Sequence, residues 1–268
     1  GRAAHTATLL KSGNVLIVAG ASFSGHVLTA ELFDPIASQW SPAGLLSVAR
    51  GQHTATLLQD GRVLIAGGRG DLGAVNSADI YDPSTGIWTR TEGMNIARRS
   101  HTATLLANGK VLVSAGGLNG VKQPSSEIYN PSTGTWSDTG SLEIPRGEHT
   151  ATALPNGTVL VLGGSEGVFI TELYDPATGH WQAFLDMKDA RNGHTATVLN
   201  NGSIFIAGGD QTMRTVEVYE MPPGKGFPAG DMDIGRERHT ATLLNDGRVL
   251  LAGGNGAQGP VNSVELYD

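Results

Sequence analysis

The sequence predicts an all-β fold of six repeated units, each with four short antiparallel strands. The phrase His-Thr-Ala-Thr begins each unit, and its histidines are His5, His53, His101, His149, His194 and His239. Glycine supplies 38 of the 268 residues, which indicates many tight turns. Four-stranded repeats of about 45–50 residues are typical of propeller blades. We therefore predict one six-bladed β-propeller domain, and a seven-bladed ring lacking one blade is the alternative. The predicted blades are about 1–45, 46–93, 94–141, 142–186, 187–231 and 232–268.

The first two strands of each unit meet at a turn dipeptide such as Asp60-Gly61 or Asn108-Gly109. Both dipeptides favour the positive φ angles of a type I′ hairpin. The second strand is short and apolar and ends in two glycines. The predicted glycine pairs are Gly67-Gly68, Gly116-Gly117, Gly163-Gly164, Gly208-Gly209 and Gly253-Gly254, with Gly20-Ala21 in the first unit.

The third strand carries an acid followed two residues later by an aromatic residue, and the fourth carries a tryptophan. In the second unit these residues are Asp79, Tyr81 and Trp88. The fifth unit has no tryptophan, and its nearest aromatic residue is Phe227. Residues placed by the repeat are most simply residues that hold it together, so each Trp→Ala change is expected to cost about 3–5 kcal/mol.

An arginine precedes each repeat histidine by three residues, as Arg50 precedes His53. Six such arginines match six third-strand acids in number, which predicts a partly buried ion pair in every unit. Its partner could lie in the same unit or the next. The histidines are interpreted as structural, because equivalent groups in a six-fold ring lie too far from one ion for nitrogen ligands at about 2.0–2.1 Å.

The sixth unit stops after its third strand, at Tyr267-Asp268. We expect a strand from elsewhere in a larger parent protein to complete it. Without that strand, the open edge could pair with a second chain. The chain opens on Gly1-Arg2 without methionine, so a preceding segment is also expected.

Composition excludes several classes of function. The chain has no cysteine, which excludes disulfides and thiolate metal sites. Its net charge of −7 argues against nucleic-acid binding. No apolar run reaches the roughly 18 residues of a membrane helix, so no membrane insertion is expected. The lack of cysteine fits a secreted or cell-surface protein of bacterial type.

The paired glycines, the following tyrosine and the later tryptophan resemble the kelch repeat, in the form found in bacterial and galactose-oxidase-like propellers. Galactose oxidase uses copper and a tyrosine cross-linked to a cysteine. This chain has no cysteine, and all its tyrosines lie at the third-strand position, so that activity and its cofactor are not expected. Some six-bladed kelch propellers act on sialic acid as epimerases or mutarotases, which the resemblance leaves as the alternative function.

Recognition is expected from residues that break the repeat, because the repeated ones are explained by the fold. The loops between second and third strands vary most, and so does the loop that includes Pro222 and Phe227. The predicted binding residues are His26, Arg69, Asp71, Arg99, Arg214 and Arg238. Arg69-Gly70-Asp71 also spells the tripeptide that integrins bind, although an ordinary polar loop explains it. We therefore predict a non-catalytic binding or scaffolding propeller, without cofactor, whose variable loops recognise a protein or a surface glycan.

Overall fold

The computed structural model describes residues 1–118, 120–164, 167–221 and 225–268. Regular structure in these residues is entirely β-strand. Among them, no helix exists that could cross a membrane. The chain divides into two compact units, Gly1–Gly147 and Glu148–Asp268.

The first unit contains three antiparallel sheets of four strands, each ordered as in the sequence. The first sheet is Thr6–Leu9, Val15–Val18, Thr29–Asp34 and Gln39–Leu45. The second is Thr54–Leu57, Val63–Ala66, Ala78–Asp82 and Ile87–Arg90. The third is Thr102–Leu105, Val111–Ser114, Ser126–Asn130 and Thr135–Thr139. Short hairpins between second and third strands are Ala21–Ser22 with Gly25–His26, Arg69–Gly70 with Gly73–Ala74, and Gly117–Leu118 with Val121–Lys122.

The second unit contains two four-stranded sheets and one three-stranded sheet. The fourth sheet is Thr150–Ala153, Val159–Leu162, Ile170–Asp175 and His180–Asp186. The fifth is Thr195–Val198, Ile204–Ala207, Thr215–Glu220 and Lys225–Asp231. The sixth is Thr240–Leu243, Val249–Ala252 and Val264–Tyr267, with a short hairpin of Asn255–Gly256 and Gly259–Pro260. The predicted absence of a fourth strand from the last blade is confirmed.

The second strands are buried on both faces, which explains their continuous apolar sequence. In the strand Val63–Ala66, Val63 and Ile65 pack with the first blade. Leu64 and Ala66 point the other way and pack with the third blade. Because side chains alternate along a strand, four successive apolar residues serve two interfaces.

The predicted type I′ hairpin between first and second strands is wrong. Gly61 has φ 93°, whereas Asp60 is not in the positive-φ region. The amide of Gly61 donates to the carbonyl of Leu58 at 3.0 Å, so the loop spans three residues. This is the pattern of a type I turn followed by a left-handed residue, which needs glycine at one position only. The Asp60 carboxylate accepts a bond from the amide of Arg62 at 3.0 Å and fixes the turn.

The predicted glycine pairs are misaligned in two blades. The residues equivalent to Gly67-Gly68 are Ala19-Gly20 and Ala115-Gly116. The first position has φ near +55°, which alanine tolerates, as Ala19 (52°) and Ala115 (55°) show. At the second position, a Cβ on Gly68 would lie 2.7 Å from the carbonyl oxygen of Gly51. A Cβ on Gly67 would also lie 2.6 Å from the carbonyl oxygen of Arg98, so close approach of the backbone requires both glycines in this blade. The blades of Ala19 and Ala115 leave room for a side chain at the first position.

The third-strand aromatic residue and the fourth-strand tryptophan lie opposite each other. Tyr81 pairs with Trp88, and their ring centroids are 4.9 Å apart. The indole of Trp88 donates to the carbonyl of Ala43 in the preceding blade at 2.6 Å. In the fifth blade, Gly226 faces Tyr219, and a Cβ there would lie 2.6 Å from the tyrosine ring. The tyrosine ring thus fills that space, and the nearby Phe227 does not replace the tryptophan.

We expect Trp88→Ala to cost about 2–3 kcal/mol, because the half-buried indole loses its contact with Tyr81 and its bond to the preceding blade. The sequence-based value of 3–5 kcal/mol assumed a buried ring. Trp40 is 58% exposed, so Trp40→Ala is the matched control and should cost under about 1 kcal/mol. Urea melts measure both changes, and equal losses would contradict this difference.

Candidate functional site

Arg50, the repeat arginine of the second blade, is fully satisfied inside its own blade. The guanidinium of Arg50 donates to the carbonyls of Val48 and Gly67, to both oxygens of Ser77, and to the carboxylate of Asp79 at 2.9 Å. Arg50 and Asp79 are both buried. All five N–H donors therefore have acceptors, which is what a buried guanidinium requires.

Other blades repeat this ion pair, which confirms the predicted pairing of the repeat arginine with a third-strand acid. In each pair the acid lies in the same repeat as the arginine. The further pairs are Arg2–Glu31, Arg98–Glu127, Arg191–Glu217 and Arg236–Glu265. Arg146 and Glu172 are buried at the equivalent positions of the fourth repeat.

The repeat histidines join successive blades. Nε2 of His53 shares a hydrogen bond of 2.9 Å with the hydroxyl of Thr6 in the preceding blade. The same bond joins Thr54 to His101, Thr150 to His194 and Thr195 to His239. Burial and the neighbouring Arg50 lower the pKa of His53 to about 3. These histidines thus hold the blades together in their neutral form.

The residue before each repeat histidine breaks the symmetry. It has a positive φ in every repeat, and its identity is Ala4, Gln52, Ser100, Glu148, Gly193 or Arg238.

Two of the predicted arginines are held by polar side chains at these positions. In the compact unit Gly1–Gly147, Arg99 donates to the side-chain carbonyl of Gln52 at 3.0 Å. In the compact unit Glu148–Asp268, Arg238 donates to both carboxylate oxygens of Glu148 at 2.9 Å. Gly193 is the equivalent residue of the fifth repeat, between the repeats of Glu148 and Arg238. A Cβ on Gly193 would be 3.3 Å from the Arg238 side chain. Sequence analysis missed Gln52 and Glu148, although their variation at a fixed repeat position is the signal that could have found them.

Arg214 is exposed, and its Nε donates to the carbonyl of Met232 at 2.6 Å. This bond anchors the side chain to its own blade. In the part of the chain that the structure describes, Arg214 shares no hydrogen-bond partner with Arg99 or Arg238.

The structure brings His26 and Asp71 together. His26 lies on the hairpin of the first blade and Asp71 at the tip of the second, and Nδ1 and Oδ1 are 2.6 Å apart. This hydrogen bond holds the pKa of Asp71 below its ordinary value. Arg69 begins the second hairpin and is exposed. We call these two hairpins, residues 21–26 and 69–74, the hairpin pair.

Each hairpin of the pair has a two-residue tip, because Ser22 pairs with Gly25 and Gly70 with Gly73. The tips carry Phe23 and Leu72, whose side chains are fully exposed. Sequence analysis included both residues in the variable loops between second and third strands but selected neither as a binding residue. No pattern in one sequence distinguishes an exposed apolar loop residue from a buried one. Of the predicted variable loops, residues 119, 165–166 and 222–224, which include Pro222, lie outside the described residues.

Comparison with known proteins supports the fold. A kelch motif model matches residues 50–95. A fungal alcohol oxidase of the AA5 family, solved in complex with copper, is similar in structure with a TM-score of 0.83 and 18% identity. That match covers 100% of this chain, which spans 63% of the oxidase chain. The protein YjhT is similar with a TM-score of 0.76 and 17% identity, over 99% of this chain and 94% of that one. No curated protein sequence matches the chain.

These likenesses and the six sheets confirm the predicted six-bladed β-propeller, with a kelch motif at residues 50–95. At such identities they show the fold alone. The copper of the oxidase does not fit the residues of this chain. The described residues include no group of three or more histidine, cysteine or acidic side chains that could hold a metal ion, and the sequence contains no cysteine.

Proposed function

We propose that this propeller is a protein-binding module whose hairpin pair contacts the partner. The observation that carries the proposal is the full exposure of Phe23 and Leu72 at adjacent tips. Burying one large apolar side chain contributes about 1.5–3 kcal/mol. Two such side chains at one place can supply the apolar centre of an interface, where most binding energy concentrates.

The hairpin pair is also held in one conformation before binding. Two-residue tips leave little backbone freedom, and the bond between His26 and Asp71 ties the hairpins to each other. The amide and carbonyl of Arg69 bond to Gly51 at 2.7 and 2.9 Å, which fixes the base of the second hairpin. Groups already ordered lose less entropy on binding.

Charge indicates what surrounds the apolar contact. Arg69 is exposed, and its guanidinium has no hydrogen-bond or ion-pair partner among the described residues. Asp71 already has His26 as its partner. The unpaired charge of this surface is therefore positive, so the fitting partner offers apolar pockets for Phe23 and Leu72 with a carboxylate near Arg69.

Binding is favoured over the sugar-acid chemistry that the kelch resemblance also allows. Such chemistry requires arginines and acids that converge on one pocket. Arg99, Arg214 and Arg238 are each anchored to a different group, namely Gln52, the Met232 carbonyl and Glu148. These contacts supply no evidence of such a cluster among the described residues, whereas the exposed hairpin pair supports binding.

The test is selection of a random peptide library on the wild-type protein, with counter-selection on a Phe23→Ser/Leu72→Ser variant. We expect enriched peptides whose affinity falls at least about tenfold in that variant. Ile36→Ser is the matched control, because Ile36 is 94% exposed at the opposite end of the first blade's third strand. Enriched peptides that bind the Phe23→Ser/Leu72→Ser variant with unchanged affinity would contradict the proposal. Glycan-array binding that the double variant loses would assign the surface to a glycan instead.

A further inference from the structure

A pocket of about 530 Å³ lies beside the hairpin pair in the first blade. Its lining includes Ser22, Ser24, His26, Leu28 and Leu45. The volume is in the range of small-molecule sites, which are about 300–1,000 Å³. The equivalent positions in the other repeats do not carry this set of side chains, so the repeat does not explain it.

One ring nitrogen of His26 is hydrogen-bonded within the protein, and the other has no partner among the described residues. Nδ1 faces the Asp71 carboxylate at 2.6 Å, and an ionised carboxylate only accepts, so we assign the proton of the neutral ring to Nδ1. Nε2 has no hydrogen-bond partner among the described residues, and it carries the lone pair. It can therefore accept a hydrogen bond from a hydroxyl group in the pocket, in an orientation that Asp71 fixes.

The hydroxyl groups of Ser22 and Ser24 add further polar contacts. They share a hydrogen bond of 2.9 Å with each other, and Ser22 also donates to the carbonyl of Gly25. Ser24 is exposed and retains capacity to donate or accept. The polar side of the pocket thus matches a ligand with more than one hydroxyl.

The charged side chain that lines the pocket is already bonded within the protein. Arg2 lines it, but its guanidinium donates to the carbonyls of Ala19 and Thr29 and to the carboxylate of Glu31 at 2.5 Å. Asp71 is paired with His26. Because the lining itself offers no free side-chain cation, the pocket favours a neutral ligand over an acid.

The opposite side is apolar, because Leu28 and Leu45 are 37% and 59% exposed. A sugar ring in the pyranose form has hydroxyls at its edge and a face of C–H groups, which matches this division. We propose that the pocket binds a small neutral sugar, with one hydroxyl donating to Nε2 of His26 and the ring face against Leu28 and Leu45. This site is separate from the peptide contact of Phe23 and Leu72.

The test titrates neutral methyl pyranosides (glucoside, galactoside and mannoside) and glucuronate into the full chain. Imidazole resonances of His26 are followed by NMR, with calorimetry in parallel. We expect a saturable shift for at least one neutral pyranoside, with Kd in the range of about 1–10 mM. His26→Ala and Ser24→Ala should each weaken binding about tenfold or more. His180→Ala is the control, because His180 is the other histidine outside the repeat and is exposed on a fourth strand of the second unit.

Saturable binding by calorimetry that His26→Ala does not weaken would overturn the proposal, as would the absence of any shift of the wild-type His26 resonances at about 100 mM sugar. Glucuronate binding more tightly than every neutral pyranoside would contradict the neutral class. The Phe23→Ser/Leu72→Ser variant is expected to keep sugar binding, so failure of the peptide proposal and failure of the sugar proposal are distinguishable.

Discussion

Replacing Asp79 with alanine is expected to lower the free energy of unfolding by about 3–5 kcal/mol. The change leaves the Arg50 guanidinium buried without its counter-ion, although its bonds to Ser77 and Gly67 remain. Burial already lowers the pKa of Arg50, which shows that its surroundings disfavour charge. Urea unfolding followed by far-UV circular dichroism measures the loss.

Arg62→Ala is the matched control, because it breaks the surface pair with Asp60 and keeps the turn bond from the Arg62 amide to the Asp60 carboxylate. An exposed pair contributes about 0–1 kcal/mol, so this variant should unfold close to the parent. A double variant, Arg50→Met with Asp79→Leu, removes both charges and should recover a large part of the loss. Equal losses in Asp79→Ala and Arg62→Ala would show that the buried pair does not stabilise the blade.

The repeat alone predicts the six blades, because spacing, turn residues and strand length agree in every unit. It also predicts which residue types are structural. It does not predict turn type, since Asp-Gly fits both a type I′ turn and the observed three-residue loop around Gly61. The partner of Arg50 was open for a related reason. The third-strand acids of successive repeats occupy equivalent positions, so the sequence does not distinguish them. Only strand register places Asp79 beside Arg50.

The candidate site was less predictable. The sequence identified His26 and Asp71 as exceptions to the repeat, but their contact depends on two hairpins 45 residues apart. The exposure of Phe23 and Leu72 depends on a two-residue tip, which composition does not reveal. Symmetry indicates where recognition residues can occur. Packing decides which of them meet.

Acidification is expected to unfold the protein cooperatively well above the pH at which carboxylates titrate. The pKa of His53, His101 and His194 is lowered to about 3 and that of His239 to about 4, in each case chiefly by burial. An ordinary histidine titrates near 6.5. Above that pH both folded and unfolded chains hold these rings neutral, and stability is complete. Below it the unfolded chain binds protons that the folded chain excludes, so stability falls towards pH 4.

The expected slope follows from the number of protons. Each one contributes about 1.4 kcal/mol per pH unit, so four histidines together give about 5 kcal/mol per pH unit between roughly pH 6 and 4. That slope exceeds what most domains can withstand over two pH units. Urea melts at half-unit intervals from pH 7.5 downward measure it.

Single substitutions separate the histidines from other acid effects. His101→Gln should remove about one proton from the slope, at a cost in stability at pH 7 from the lost contact with Thr54. His180→Gln is the control at an exposed position and should leave the slope unchanged. If the slope is the same in both variants, the buried rings are not what makes the fold sensitive to acid. If it falls only in His101→Gln, the bonds between successive blades are themselves the acid-sensitive element, since the ring that excludes the proton is the one that joins the blades.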